Sequence, residues 1–198
     1  MSSVRIACIV EGHGEVDALP VLLRRIAQIQ NPGLYLDIVA TLREKKSRLL
    51  QPGGIERSLS LARQRVGANG AVLVLLDADT NCPAQLGPQL LQRCRSTQGD
   101  LAISVVIAKV EFETWLLYAA HSLRGVRGLP ANFSAPDDLE TKRGAKEWFD
   151  HFMPKGYSET IDQAALTAQF DLDQARHSPS FDKLWRDFAL LLQHSTQN

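Results

Sequence analysis

VRIACIVEGHGE, Val4 to Glu15, is a short apolar run that ends in two acids flanking a Gly-His-Gly turn. The run lacks the strict alternation of a strand with one wet face, and it is too short for a buried helix. It therefore reads as a strand covered on both faces, as in a parallel sheet. AVLVLL (71–76) and LAISVVIA (101–108) have the same character, whereas LYLDIVAT (34–41) alternates more and is expected toward an edge. Helical patterns lie between them. Val16, Leu19, Leu22, Leu23 and Ile26 recur at helical spacing from Glu15 to Gln30, and Asn31-Pro32-Gly33 stops them. Ile55–Val66 and Ala84–Arg95 read as two more helices. This β, α, β order predicts an α/β fold: a mostly parallel sheet flanked by helices.

No comparable strand follows Ala108. EFETWLLYAAH reads as a helix and residues 122–136 as loop. Helices are expected over Asp137–Phe152, within Ser158–Gln169, and over Ser180–Gln193. In the last, Phe181, Leu184, Trp185, Phe188, Leu191 and Leu192 form an apolar stripe, with Ser178 as a cap and Pro179 at the first helical position. The expected organisation is an α/β core over 1–121 and a helical extension over 122–198, packed together as one unit. An apolar content of 44% with 22% charged residues excludes a disordered chain and gives no membrane span. RIACIV is too short for an export leader, and three cysteines without a C-x-x-C pair fit a reducing compartment, so a cytoplasmic location is expected.

The formal net charge is zero, which gives no global case for a polyanionic partner. The distribution is uneven, however. Seven basic and two acidic residues lie between Thr41 and Gly70, a local excess of five positive charges. Arg43, Lys45, Lys46 and Arg48 are the candidate contacts to a nucleic-acid backbone, set against the plain alternative of a solvated face.

Parallel strands share one carboxyl edge, where open α/β folds bind ligands. Each long apolar run is followed by acids: Glu11 and Glu15 after the first, Asp77 and Asp79 after the second, Glu111 and Glu113 after the third. Lys109 accompanies the last pair. Carboxylates crowded at one edge raise one another's pKa and call for a cation. All-oxygen donors suit Mg2+ or Mn2+, which bring phosphate oxygens as further ligands. The glycines of EGHGE would let a phosphate approach the backbone, and a helix starting near Gly14 would offer it N–H groups. Taken singly, Glu15 could be a helix-start acid, Asp77 and Asp79 a turn and a cap, and Glu111 and Glu113 ordinary first-turn acids of which only one need face the site. GHG is not a dinucleotide fingerprint, since Asp17 stands in the third glycine's place. His13 reads as a solvated loop residue, and His121, His151, His177 and His194 show no metal-ligand spacing.

A Glu closing the first strand and Asp-x-Asp closing a later one resemble the Toprim domains of topoisomerases, primases and overcoming-lysogenization-defect nucleases. VEGHGEVDALPVLL, LLDADTNCP, KVEFETWLL, YSETIDQAAL and SPSFDKLW together resemble, over nearly the whole chain, the Toprim-like domain-of-unknown-function family that includes the nuclease effector of the PARIS anti-phage system. The resemblance implies a Rossmann-like Toprim core and a Mg2+ or Mn2+ site. It also implies cleavage of DNA or RNA in bacterial anti-phage defence, with an ATPase partner that holds the effector in check. By the same resemblance Glu11 matches a metal ligand or general acid/base, Asp77 and Asp79 match the metal-binding pair, and Glu15 and Glu113 are further catalytic acids. Lys109 would offset phosphate charge. Two other functions stay open at this point: a silent regulatory or scaffolding subunit that binds metal or a phosphorylated ligand, and hydrolysis or transfer on a small nucleotide. A homodimer also stays open.

Overall fold

The computed structural model describes residues 3–139 and 144–194. Four strands, β1 (Ser3–Val10), β2 (Tyr35–Arg43), β3 (Ala71–Asp77) and β4 (Ala102–Ala108), form one all-parallel sheet in the order β2-β1-β3-β4. The weakest strand pattern, β2, is at an edge and half-buried along most of its length.

The helices of the α/β part are α1 (Glu15–Gln30), a short α2 (Lys46–Leu49), α3 (Gly54–Val66) and α4 (Pro83–Thr97). The missing alternation of the central strands has a direct cause. Side chains still alternate between faces, but both faces are apolar because each is covered. Val4, Ile6, Cys8 and Val10 of β1 face α1 with Leu73 and Leu75, while Ala7 and Ile9 face α3 and α4 with Val72, Val74 and Leu76. The three cysteines are free thiols.

After β4 come α5 (Glu113–Tyr118), α6 (Ala145–Phe152), a π-helical turn (Glu159–Gln163) that runs into α7 (Ala164–Thr167), α8 (Leu172–Ala175) and α9 (Pro179–His194). The expected helix over Asp137–Phe152 begins only at Ala145, where Gly144 enters with φ +101°; part of that expectation, residues 140–143, lies outside the described residues. The expected EFETWLLYAAH helix gives way after Tyr118 to a 3-10 turn over Ala120–Leu123.

The extension shares the core of the α1 face. Trp115 and Phe181 meet edge to face at 5.3 Å, and Phe170 adjoins Phe181 at 5.8 Å. Ser180 Oγ accepts the Trp115 indole N–H (2.8 Å) and the Lys109 backbone N–H (3.0 Å), tying α9 to the end of β4. The Arg25 guanidinium of α1 donates to the carbonyls of Thr167 (2.7 Å) and Phe170 (2.8 Å). Among the described residues, no helix is long and apolar enough to cross a membrane.

Candidate functional site

In this strand order the chain leaves β1 toward β2 and leaves β3 toward β4. The loops after the two central strands therefore diverge and open a crevice at the carboxyl edge. A cavity of about 210 Å³ occupies it, lined by Glu11, Gly12, Gly14, Glu15, Asp77, Asp79, Lys146, Glu159 and Gln163. Four acids from two separate parts of the sequence thus share one cavity with three residues of the extension.

Each acid has a different commitment. Glu15, 3% exposed, turns one oxygen back on its own loop, where Oε2 accepts the N–H groups of Gly12 (2.6 Å) and Glu11 (3.2 Å). Those two N–H groups are therefore not presented to an anion, as the glycine-rich loop had suggested. Asp77 Oδ1 accepts the Phe112 N–H (2.9 Å) and so fixes the turn that leads into α5. Asp79 is exposed, has a left-handed φ of +50°, and pairs with Lys46. Glu11 is half-buried, and its Oε2 has no hydrogen-bond partner.

The acids after β4 divide. Glu111 Oε1 caps α6 by accepting the Ala145 N–H (2.7 Å). Glu113 is fully buried; its Oε1 accepts the Tyr157 hydroxyl (2.7 Å) and the Gln163 amide (3.1 Å), while its Oε2 has no partner. Burial drives the pKa of this group upward. Glu113 is pushed up to about 7 by burial, with Lys146 and the Tyr157 hydrogen bond pulling the other way. Glu15 also rises to about 7, by burial first and opposed by the Gly12 N–H. Asp77 is held well above the carboxylate range by burial and by the nearby charges of Glu15 and Glu113. Glu11 is raised by burial against the pull of Lys46.

Two lysines answer these charges, and neither is Lys109, which does not line the cavity. Lys46 departs from its expected role as a surface phosphate contact. It is 8% exposed, and its ammonium bonds the Asp77 carbonyl (2.7 Å), the Ala78 carbonyl (3.4 Å) and the Asp79 carboxylate. Arg43, Lys45 and Arg48, beside it, remain exposed at the end of β2, and Arg48 pairs with Glu44 at 3.3 Å. Lys146 comes from α6 and contacts Glu159 at 2.5 Å. Burial alone would lower its pKa, but the charges of Glu113, Glu159 and Asp77 outweigh it and raise the value.

Lys146 carried no signal by strand or motif position, and Lys46 stood out only as one residue of a basic run. YSETIDQAAL did mark the segment that supplies Glu159 and Gln163. Its π-helical turn brings Glu159 and Gln163 against the first loop so closely that a Cβ on Gly14 would lie 2.1 Å from Gln163 Oε1 and 2.6 Å from the Glu159 carbonyl oxygen. Gly14 is therefore required by the extension's approach. π-Helical turns occur often at functional sites.

A family profile described as "Domain of unknown function (DUF4276)" matches residues 10–189, from the last residue of β1 into α9, and so spans every residue of the cavity. The chain belongs to the DUF4276 family. No curated protein and no solved structure matches it significantly.

The DUF4276 cavity suits a hard cation in donor chemistry. Buried acceptor oxygens without a donor are rare and costly, yet Glu11 Oε2, Glu113 Oε2 and Gln163 Oε1 are all of this kind. Among the described residues, no three Asp, Glu, His or Cys side chains converge closely enough to enclose an ion by themselves.

Proposed function

We propose that this DUF4276 chain is a divalent-metal-dependent phosphodiesterase acting on DNA or RNA, with the Toprim-like chemistry its motifs resemble. The observation that carries the reading is the pair of partnerless buried carboxylate oxygens, on Glu11 in the cavity wall and on Glu113 bonded to the lining residue Gln163. Glu11, with Asp77 or Asp79, would contribute one or two carboxylates to Mg2+ or Mn2+, water or phosphate completing the sphere, and a bound ion would supply Lewis acidity toward a phosphoryl oxygen and acidify a water. The chain's own groups do the rest. Glu15 clamps the loop that carries Glu11, Tyr157 and Gln163 fix the Glu113 carboxylate, and Lys146 places a positive charge in the cavity. Hydrolysis adds water across a P–O bond: Glu15 would take the proton that the attacking water gives up, and the leaving oxygen would take a proton from solvent.

The exposed cations Arg43, Lys45 and Arg48 end and follow β2, whose carboxyl end is paired with that of β1 through Val10 and Arg43. Basic side chains thus flank the acid cavity along the same sheet edge, which favours a polyanionic strand over a free nucleotide. An ATPase partner that restrains the activity, and a role in anti-phage defence, belong to the same proposal.

A second reading is favoured by one specific observation. Two of the cavity's acids already carry a lysine partner, Asp79 with Lys46 and Glu159 with Lys146. This suits a regulatory subunit that binds metal or a phosphorylated ligand without turnover.

The test is cleavage of DNA and RNA by the purified chain with Mg2+ or Mn2+, beside free nucleotides and a folded Asp77→Asn, Asp79→Asn variant. Metal-dependent cleavage of polynucleotide that the variant lacks supports the nuclease. Turnover of free nucleotides alone overturns the polynucleotide assignment. Metal binding without any turnover, with the ATPase partner absent and present, favours the second reading.

A further inference from the structure

The two lysines of the site are held in different ways. Lys46 is locked: buried, with its ammonium on two carbonyls and one carboxylate. Lys146 lines the cavity with its side chain 34% exposed, and its hydrogen bond runs to Glu159, itself 39% exposed. Its backbone position is fixed because Glu111 caps the preceding residue, Ala145. The stem is flexible over four carbons, so the ammonium can swing outward without moving α6.

Lys146 bonds Glu159 and answers the charge of Glu113 and Asp77 from a distance. Its field reaches Glu113, Asp77 and Glu159, yet the Oε2 atoms of Glu11 and Glu113 are left without a donor. A dication would supply both charge and direct bonds to such oxygens, and it would be repelled by an ammonium in the same cavity.

We propose that Lys146 is the resident counter-ion of the cavity: it balances the acids in the metal-free protein, and a divalent ion binds by displacing its ammonium toward solvent. This rests on the metal-site reading given under the proposed function. It assigns Lys146 the task of keeping the emptied cavity folded and of setting how tightly metal is held.

The test titrates Mn2+ into the full-length wild type, Lys146→Met and Lys146→Arg, following free Mn2+ by its paramagnetic resonance signal. Lys146→Met is expected to bind Mn2+ about tenfold more tightly or better, since a competing charge is gone, while Lys146→Arg stays near wild type. A second measurement needs no variant. Acylation of Lys146 by an amine-reactive ester, read by mass spectrometry, should increase severalfold when Mn2+ is added to the wild type. Binding by the wild type with no gain in Lys146→Met, or with unchanged labelling of Lys146, overturns the counter-ion role and leaves the metal site standing. Absence of Mn2+ binding in all three proteins overturns both.

Discussion

Glu113→Gln separates the cost of the acid cluster from its use. Glu113 is fully buried, and its pKa is pushed from the usual 4.5 to about 7, mainly by burial. Between these values the folded protein holds a proton that the unfolded chain has released. Stability contributed by this group is therefore present at low pH and is lost as pH rises from the unfolded value through the folded one. Above pH 7, ionising the group in place costs about 3 kcal/mol. Glutamine mimics the protonated acid: its carbonyl can still accept from Tyr157 and Gln163, at the positions where Glu113 Oε1 now does so. In chelator, Glu113→Gln should match wild type near pH 5 and exceed it by about 3 kcal/mol at pH 8, measured by urea denaturation. Added Mn2+ should narrow the gap at pH 8 by stabilising the wild type more. A variant equally destabilised at both pH values would refute the reasoning, because it would mean that the carboxylate is already compensated in the metal-free fold.

Gly14→Ala should lower stability by about 1–3 kcal/mol, because its Cβ would fall 2.1 Å from Gln163 Oε1 and the π-helical turn must shift; urea denaturation of the folded variant measures it. Lys46→Met should lower stability by about 1–3 kcal/mol by stripping two carbonyls and the exposed Asp79 of their partner, while Lys45→Met, on an exposed neighbour, changes it by less than about 0.5 kcal/mol in the same assay. Removing Arg43, Lys45 and Arg48 together should reduce the slope of log affinity against log salt for nucleic acid by about 2–3, seen by fluorescence anisotropy across a salt series. Val110 is a buried β-branched residue at φ +62° beside the site. Relief of about 1–2 kcal/mol of left-handed strain should bring Val110→Gly close to wild type, whereas Val106→Gly in β4 should cost about 3 kcal/mol or more; thermal or urea unfolding distinguishes them.

The parallel sheet was legible from sequence because burial on both faces writes itself as unbroken runs of Val, Ile and Leu. The lesser burial of LYLDIVAT likewise marked β2 as an edge. Once the strands are parallel, acids that directly follow β1 and β3 must meet at one edge, so Glu11, Glu15, Asp77 and Asp79 could be placed together from local pattern alone. The counter-charges could not. Lys46 looked like one more residue of a basic run, and only the fold buries it with its ammonium on the Asp77 and Ala78 carbonyls and the Asp79 carboxylate. Lys146, Glu159 and Gln163 enter because the aromatic core beneath α9 folds the extension back over α1, bringing residues more than a hundred positions away onto the EGHGE loop. Local sequence thus determined where negative charge would gather, since strand ends are set by short-range pattern. Which cations answer it depends on long-range packing, and only the tertiary structure decided that.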